Sequence, residues 1–323
     1  MKAMTSTRYG SADVLKMAEL QIPTPKDNEV LIKVHASSIN AGDWHLMRGK
    51  PYLMRLVFGL FRPKITVLGA DVAGVVEAVG KKVTQFKPGD AVFGDISNGG
   101  FGGFSEYVCA KEKYLTLKPR NVTFEQAAAV PAAGQTALQG IRDYGKIKEG
   151  QKVLVNGASG GVGSFAVQIA KYYGAEVTAV CSTQKMDMVR SLGADHVIDY
   201  TKEDPTQGGQ LYDLVFDAAA FRDFLDYKRC LRTKGTYVMA GGHLKQLMKL
   251  NFIGLQPWKK GGRDMRGYLV KPNQKDMQVL KELLEINAIR PPIDKTYTLP
   301  ETADAIRRLE QRKVQGKLVI SVA

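Results

Sequence analysis

The sequence predicts an α/β chain of two domains, one β-rich and one built on a doubly wound parallel sheet. Three observations predict it. Residues 153–163, VLVNGASGGVG, run an apolar, β-branched stretch into a glycine-dense turn. Residues 164–173 continue at helical spacing, and 175–181, AEVTAVC, form a second apolar stretch. Around that βαβ pattern the middle third alternates strand-like and helix-like runs, as a parallel sheet requires. The first third instead strings together short β-patterned runs punctuated by glycine and proline. At 323 residues the chain also exceeds the usual size of one domain.

In the first third, residues 30–36 (VLIKVHA) alternate as a half-buried strand does. Further strands are expected at 72–79, 104–109 and 114–117, with Pro88-Gly89-Asp90 as a turn. This fits a compact, partly open barrel. The segment 52–61, YLMRLVFGLF, is more apolar than its neighbours. It reads as a short amphipathic helix, a pocket wall or a peripheral membrane contact. A place in a pocket or the core is expected ahead of the membrane, because the run is short with one central arginine.

In the middle third, helices are expected at 124–130 and 136–144, flanking Pro131-Ala132-Ala133-Gly134, and the glycine-rich βαβ unit follows. A helix at 185–192 and strands at 196–200, 212–217 and 237–240 complete the alternation. In the last third, Met277, Leu280, Leu283 and Leu284 mark a helix over 276–286, a strand is expected at 296–299 and a helix at 303–311. The terminal KLVISV reads as a strand returning to the first domain. The domains expected are thus 1–123, 124–260, and 261–323 as the return.

Two apolar strands joined through a glycine turn and a helix are the architecture that holds a dinucleotide pyrophosphate. Glycine lets a phosphate approach backbone N–H groups, and the helix N-terminus adds donors and partial positive charge. Read as G-x-G-x-x-G, the register is Ala158, Gly160 and Gly163, so alanine stands at the first glycine. Gly161 and Val162 complete the candidate phosphate turn, and an NAD(H) or NADP(H) site is expected here.

The formal charge is +14, but the basic residues are dispersed and no nucleic-acid motif is present, so no specific nucleic-acid partner is expected. Cys109, Cys181 and Cys230 are few, odd in number and far apart, which points to a reducing compartment and buried side chains rather than nucleophiles. The start MKAMTSTRYG lacks the apolar core of a signal peptide, and no run has the length of a membrane span. A cytoplasmic location is expected. His35, His45, His196 and His243 make no close Cys/His pair of the zinc type.

The second strand ends Val180-Cys181-Ser182-Thr183-Gln184-Lys185. NAD enzymes usually place an acid there for the ribose hydroxyls. Hydroxyls followed by a lysine suit the extra phosphate of NADP instead, so NADPH is the expected cofactor.

Taken together, VLIKVHASSINAGDWHLMRG (30–49), LGADVAGVVEAVG (68–80), FKPGDAVFG (86–94), GGFSEYV (102–108), AAAVPAAGQTAL (127–138), the glycine turn, LGADHVIDY (192–200) and GKLVI (316–320) resemble the medium-chain dehydrogenase/reductase superfamily. The chain looks most like its zinc-independent quinone oxidoreductase branch. The resemblance implies a GroES-like catalytic domain plus a Rossmann domain, an active site in the cleft between them, and a homodimer or higher oligomer. The zinc ligands of the alcohol dehydrogenase branch fall within 40–43, at Ala70 and near Gly134, and none is present.

Without that metal, hydride transfer needs a receptive acceptor, and quinones or activated alkenes such as α,β-unsaturated carbonyls qualify. The resemblance places Asn40 near the nicotinamide and Tyr52 in the pocket wall, the two candidate catalytic residues, though Asn40 equally suits a turn and Tyr52 the core. It places Thr136, Gly241 and Gly242 about the nicotinamide, with helix capping and an ordinary strand-end turn as alternatives. It places Lys185 and Tyr200 against the NADP phosphate, beside the hydroxyl of Ser182, with a solvated helix-start lysine and ordinary strand-end packing as the alternatives. Asp217, at an apolar strand end, is not expected to act as an acid. A reductase of quinones or activated alkenes is expected first; a zinc-independent carbonyl reductase or alcohol dehydrogenase, or a cofactor-binding interaction protein, would be the alternatives.

Overall fold

The computed structural model describes residues 1–241, Gln246, Leu250 and 262–322. Along the chain lie β1 (Lys2–Thr5), β2 (Lys16–Glu19), β3 (Glu29–Ile39), α1 (Ala41–Arg48), α2 (Arg55–Phe58), β4 (Asp71–Val79), β5 (Ala91–Asp95), β6 (Tyr107–Lys111), β7 (Leu115–Leu117) and α3 (Phe124–Ala128). Then come α4 (Pro131–Leu138), β8 (Lys152–Asn156), α5 (Gly161–Tyr172), β9 (Glu176–Cys181), α6 (Met186–Ser191), β10 (His196–Asp199), β11 (Tyr212–Asp217), β12 (Leu231–Ala240) and β13 (Asp264–Tyr268). The chain closes with α7 (Gln274–Glu285), β14 (Ile293–Thr298), α8 (Thr302–Glu310) and β15 (Lys317–Ser321).

Two compact units result. One comprises Met1–Ala132, Pro272–Asn287 and Pro291–Ala323, the other Ala133–Lys271 and Ala288–Arg290. The first carries a seven-stranded sheet in the order β14-β15-β3-β4-β5-β7, with β6 also paired to β3. This is the β-rich, GroES-like domain. Its core gathers Met4, Leu46, Met47, Phe104, Ile306 and Ile320. The terminal strand β15 does return here, antiparallel to β3.

The second unit carries six parallel strands in the order β10-β9-β8-β11-β12-β13. Counted from β8 this is 3-2-1-4-5-6, the doubly wound order whose switch point falls between the first and fourth strands. Here those are β8 and β11, both fully buried at Val153, Leu154, Val155, Val215 and Phe216. Burial on both faces explains their unbroken apolar runs.

The parallel sheet extends past residue 260, because Asp264–Tyr268 pairs with β12 at its edge. Pro131 through Gly134 do not break the chain between two helices as expected. They form the first turn of α4, with proline where its missing N–H costs nothing. A π-helical stretch, Gln139–Tyr144, follows directly.

The segment 52–61 divides: Met54 and Phe58 pack against the core of the β-rich unit, whereas Tyr52, Leu53, Leu56, Val57, Leu60 and Phe61 are exposed, Phe61 at 86%, so these six do not have the core place expected for the run. Among the described residues no helix is long and apolar enough to cross a membrane.

Candidate functional site

In the parallel-sheet unit, β8 ends at Asn156 and the chain reverses at Gly157, whose φ is +74°. A Cβ there would lie 2.9 Å from that of Ala219. Gly157 therefore performs the tight-turn role that the motif register gave to Ala158. Ala158 is fully buried, and its N–H donates to Val180 O at 3.1 Å, tying the turn to β9.

Gly160 and Gly163 differ in kind. Gly160 caps α5 with φ −84° and ψ 174°, an extended conformation open to any residue, so no backbone strain enforces glycine. A Cβ on it would meet only Gly157 O at 3.4 Å. A Cβ on Gly163 would meet Gly157 O at 2.1 Å, so the helix lies directly on the turn. Gly161, Val162 and Gly163 open α5, and their N–H groups precede any intrahelical acceptor. No cap side chain satisfies them. A helix N-terminus with open space above a glycine cap fits a dinucleotide pyrophosphate in size and charge. Behind it, Phe165, Ala166, Ile169 and Ala170 fix α5 to the sheet by complete burial.

At the switch point Asn156 Nδ2 donates to Asp217 Oδ1 at 2.8 Å. Asp217 also accepts from the N–H groups of Ala219 and Ala220 at 3.1 and 2.7 Å, and from Tyr237 Oη at 2.8 Å. It is buried and fully engaged, and it shapes the β11 turn rather than offering an acid.

Ser182, Lys185 and Tyr200 come together at the end of β9. Ser182 precedes a 3-10 turn, Thr183–Lys185, and Tyr200 N donates to Cys181 O at 3.1 Å while its ring is exposed. One neighbour was missed in the sequence. The parallel register sets Asp199 beside Cys181, so an acid from the next strand reaches this rim. Its Oδ2 accepts from the Thr183 hydroxyl, and Oδ1 from Thr201 N and Oγ1 at 3.0 and 2.7 Å. The Thr183 hydrogen bond, first among these, holds its carboxyl below the usual range. Thr136 lies inside α4, not at its cap, and its carbonyl accepts from Tyr268 Oη. Gly241 leaves β12 with φ +89° and nothing within 4 Å of a built Cβ. Gly242 lies outside the described residues, as does His243.

In the β-rich unit Asn40 caps α1, and its amide belongs to a buried polar cluster. Nδ2 donates to Asp71 Oδ2 at 2.9 Å and to Ser38 O at 3.4 Å, and Oδ1 accepts from Lys317 Nζ at 2.6 Å. Asp71 also takes Ser38 Oγ at 2.6 Å, Ala132 N at 2.8 Å and Lys317 Nζ at 3.4 Å. Lys317 is the member of this cluster that composition could not single out. Tyr52 is not part of this cluster. Its ring lies 4.9 Å from the Arg55 guanidinium, which also lies 4.4 Å from the Tyr9 ring.

Asp43, on α1, accepts from Asn40 N at 2.9 Å and Gly69 N at 3.0 Å. Burial, with the Asp71 charge adding to it, raises its pKa to about 7 despite these donors. Burial and Asp71 likewise raise Asp95 to about 6. A folded-state pKa above the unfolded one gives stability that is complete below about pH 4 and lost as pH rises through 7. Urea unfolding at pH 5 and pH 8 is therefore expected to show a loss on the alkaline side. Asp43→Asn should remove its own share, on the order of 2–4 kcal/mol. A slope unchanged by that substitution would show that Asp43 is ionised throughout.

Among the described residues no three His, Cys, Asp or Glu side chains are grouped to hold a metal ion. Ala70 is buried apolar surface, and Asn40 is committed to Lys317 and Asp71. The three thiols are free, and burial raises each pKa to about 11, which makes them poor nucleophiles.

Comparison with known proteins agrees with this architecture. The model of an alcohol dehydrogenase GroES-like domain matches residues 26–120, and that of a zinc-binding dehydrogenase matches 192–320. The chain is 36% identical to an NADPH-dependent alkenal/one oxidoreductase of Arabidopsis thaliana, over 99% of this chain and 79% of that protein. It is 35% identical to a 2-methylene-furan-3-one reductase of Solanum lycopersicum, with the same coverage. The solved quinone oxidoreductase of Coxiella burnetii superposes with a TM-score of 0.90 at 30% identity, covering 100% of this chain and 99% of that one.

Proposed function

The chain belongs to the medium-chain dehydrogenase/reductase superfamily, in its quinone-oxidoreductase-like branch, and from that premise we propose an NADPH-dependent reductase of quinones and α,β-unsaturated carbonyls. The observation that carries the cofactor choice is the rim at the end of β9, where Ser182, Lys185 and Tyr200 gather. Asp199 is the opposing feature at that rim. Both its oxygens are engaged by Thr183 and Thr201, so it is occupied as an acceptor. The alkenal/one oxidoreductase of Arabidopsis thaliana, named for NADPH, supports the same choice.

Bound NADPH supplies a hydride, which an electron-poor alkene or quinone accepts without a Lewis acid. The chain's part is to bind and orient. The α5 N-terminus would hold the pyrophosphate through Gly160–Gly163, and Lys185 would pair with the ribose phosphate. Thr136 and Gly241 would stand at the nicotinamide end; Gly242, expected there too, lies outside the described residues. Asn40, its amide fixed by Asp71 and Lys317, would stand near the nicotinamide as a positioned polar group, and Tyr52 would be the pocket-wall candidate. A cytoplasmic homodimer belongs to the same proposal.

The test combines turnover and titration. Chelator-treated protein should oxidise NADPH with quinones and enones and be inactive with simple aldehydes. Lys185→Ala should weaken NADPH by about 1.5–3 kcal/mol while leaving NADH binding unchanged. Aldehyde turnover lost on chelation would overturn the reaction, and equal loss for both cofactors would overturn the role of Lys185.

A further inference from the structure

We propose that the exposed face of residues 50–64 docks on an anionic phospholipid bilayer. The surface is made by the fold and is not a frayed end. Met54 and Phe58, four residues apart, pack onto the core of the β-rich unit. Tyr9 Oη donates to Phe58 O at 3.2 Å and Gly59 O at 2.6 Å, and Arg55 Nε donates to Gly49 O at 3.0 Å. With that face anchored, Leu53, Leu56 and Val57 project on the other, and the turn after Gly59 adds Leu60 and Phe61. An apolar surface held outward by a core contact marks a docking site, not loose packing.

Charge decides what docks. From residue 44 to residue 70 the sequence contains no aspartate or glutamate, and it contains Arg48, Lys50, Arg55, Arg62 and Lys64. Arg48 is paired with Glu310, and Arg55 lies between the Tyr9 and Tyr52 rings. Lys50, Arg62 and Lys64 are exposed at the two ends of the apolar run. The whole chain carries +14. Large apolar side chains flanked by exposed cations match the boundary between acyl chains and anionic headgroups. A second copy of this chain would bring the same cations face to face, which disfavours self-association through this surface. The proposal needs no premise about the reaction catalysed.

The probe is sedimentation of the full chain with phosphatidylcholine vesicles, with and without phosphatidylglycerol. Binding is expected only with the anionic lipid and should weaken as salt rises. The combined substitution Leu56→Ser, Val57→Ser and Phe61→Ser touches exposed positions, and it should reduce binding at least about tenfold with an unchanged circular dichroism spectrum. Arg62→Glu with Lys64→Glu should reduce it about tenfold or more at low salt. Equal binding to both vesicle types, or binding that survives the serine substitutions, would overturn the proposal. So would dimerisation through this face, seen by light scattering and abolished by the same substitutions, without vesicle binding. Loss of vesicle binding in a variant that keeps the parent protein's circular dichroism spectrum and melting temperature would sustain it.

Discussion

Replacing Lys317 with methionine is expected to cost about 3–5 kcal/mol of stability, the usual result of removing one partner from a buried ion pair. Its ammonium is 2.6 Å from Asn40 Oδ1 and 3.4 Å from Asp71 Oδ2, with the two side chains 3% and 0% exposed. Methionine fills a similar volume, so the loss is electrostatic rather than a cavity. Asp71 would keep its bonds from Ser38, Asn40 and Ala132 but lose the one cation bonded to it among the described residues. Adding Asp71→Asn should recover much of the loss, because the stranded charge is then removed as well. The measurement is urea unfolding of the three variants against the parent protein. A loss below about 1 kcal/mol in Lys317→Met would show that the ammonium does not stabilise the Asp71 cluster. The same variant should also release Asn40, whose Oδ1 gains its position from Lys317.

The parallel-sheet unit was legible in the sequence because its information is local. Strands buried on both faces read as continuous apolar runs, and each βα turn lies within a few residues of the atoms that it serves. The cluster at Asn40 was not legible. Lys317 starts β15, which pairs with β3 so that Leu318 faces Ile39, and Ser38 in turn faces Asp71 on β4. That contact spans 277 residues of sequence, and only the sheet register creates it. Asp199 was overlooked beside Cys181 for the same reason, as the sequence order separates what the parallel register joins. The strands Lys2–Thr5 and Lys16–Glu19 are too short and too charged to show an alternating pattern. Asp264–Tyr268 is a polar edge strand of the same kind. The apolar run at 52–61 was only partly legible, since composition could not tell that Met54 and Phe58 pack on the core while its other large apolar side chains are exposed.

Gly160→Val is expected to reduce affinity for NADPH and NADH alike by about a hundredfold or more, through the loss of anion contacts worth about 1.5–3 kcal/mol each. The structure makes this substitution a clean test. Gly160 has an extended backbone that valine adopts readily, and a Cβ there has one neighbour, Gly157 O at 3.4 Å. The added methyl groups project into the open space before the N–H groups of Gly161, Val162 and Gly163, where a pyrophosphate would sit. Folding should therefore survive while binding falls. Gly163→Ala supplies the contrast, because its Cβ would lie 2.1 Å from Gly157 O and 2.8 Å from Ala158 Cα. Neither is a flexible side-chain end, so α5 must shift off the turn, and the thermal transition should drop sharply. Calorimetry and cofactor titration on both variants separate the two effects. A folded Gly160→Val protein with undiminished affinity would place the pyrophosphate elsewhere. Equal melting temperatures for the two variants would contradict the division of labour between a phosphate-facing glycine and a packing glycine.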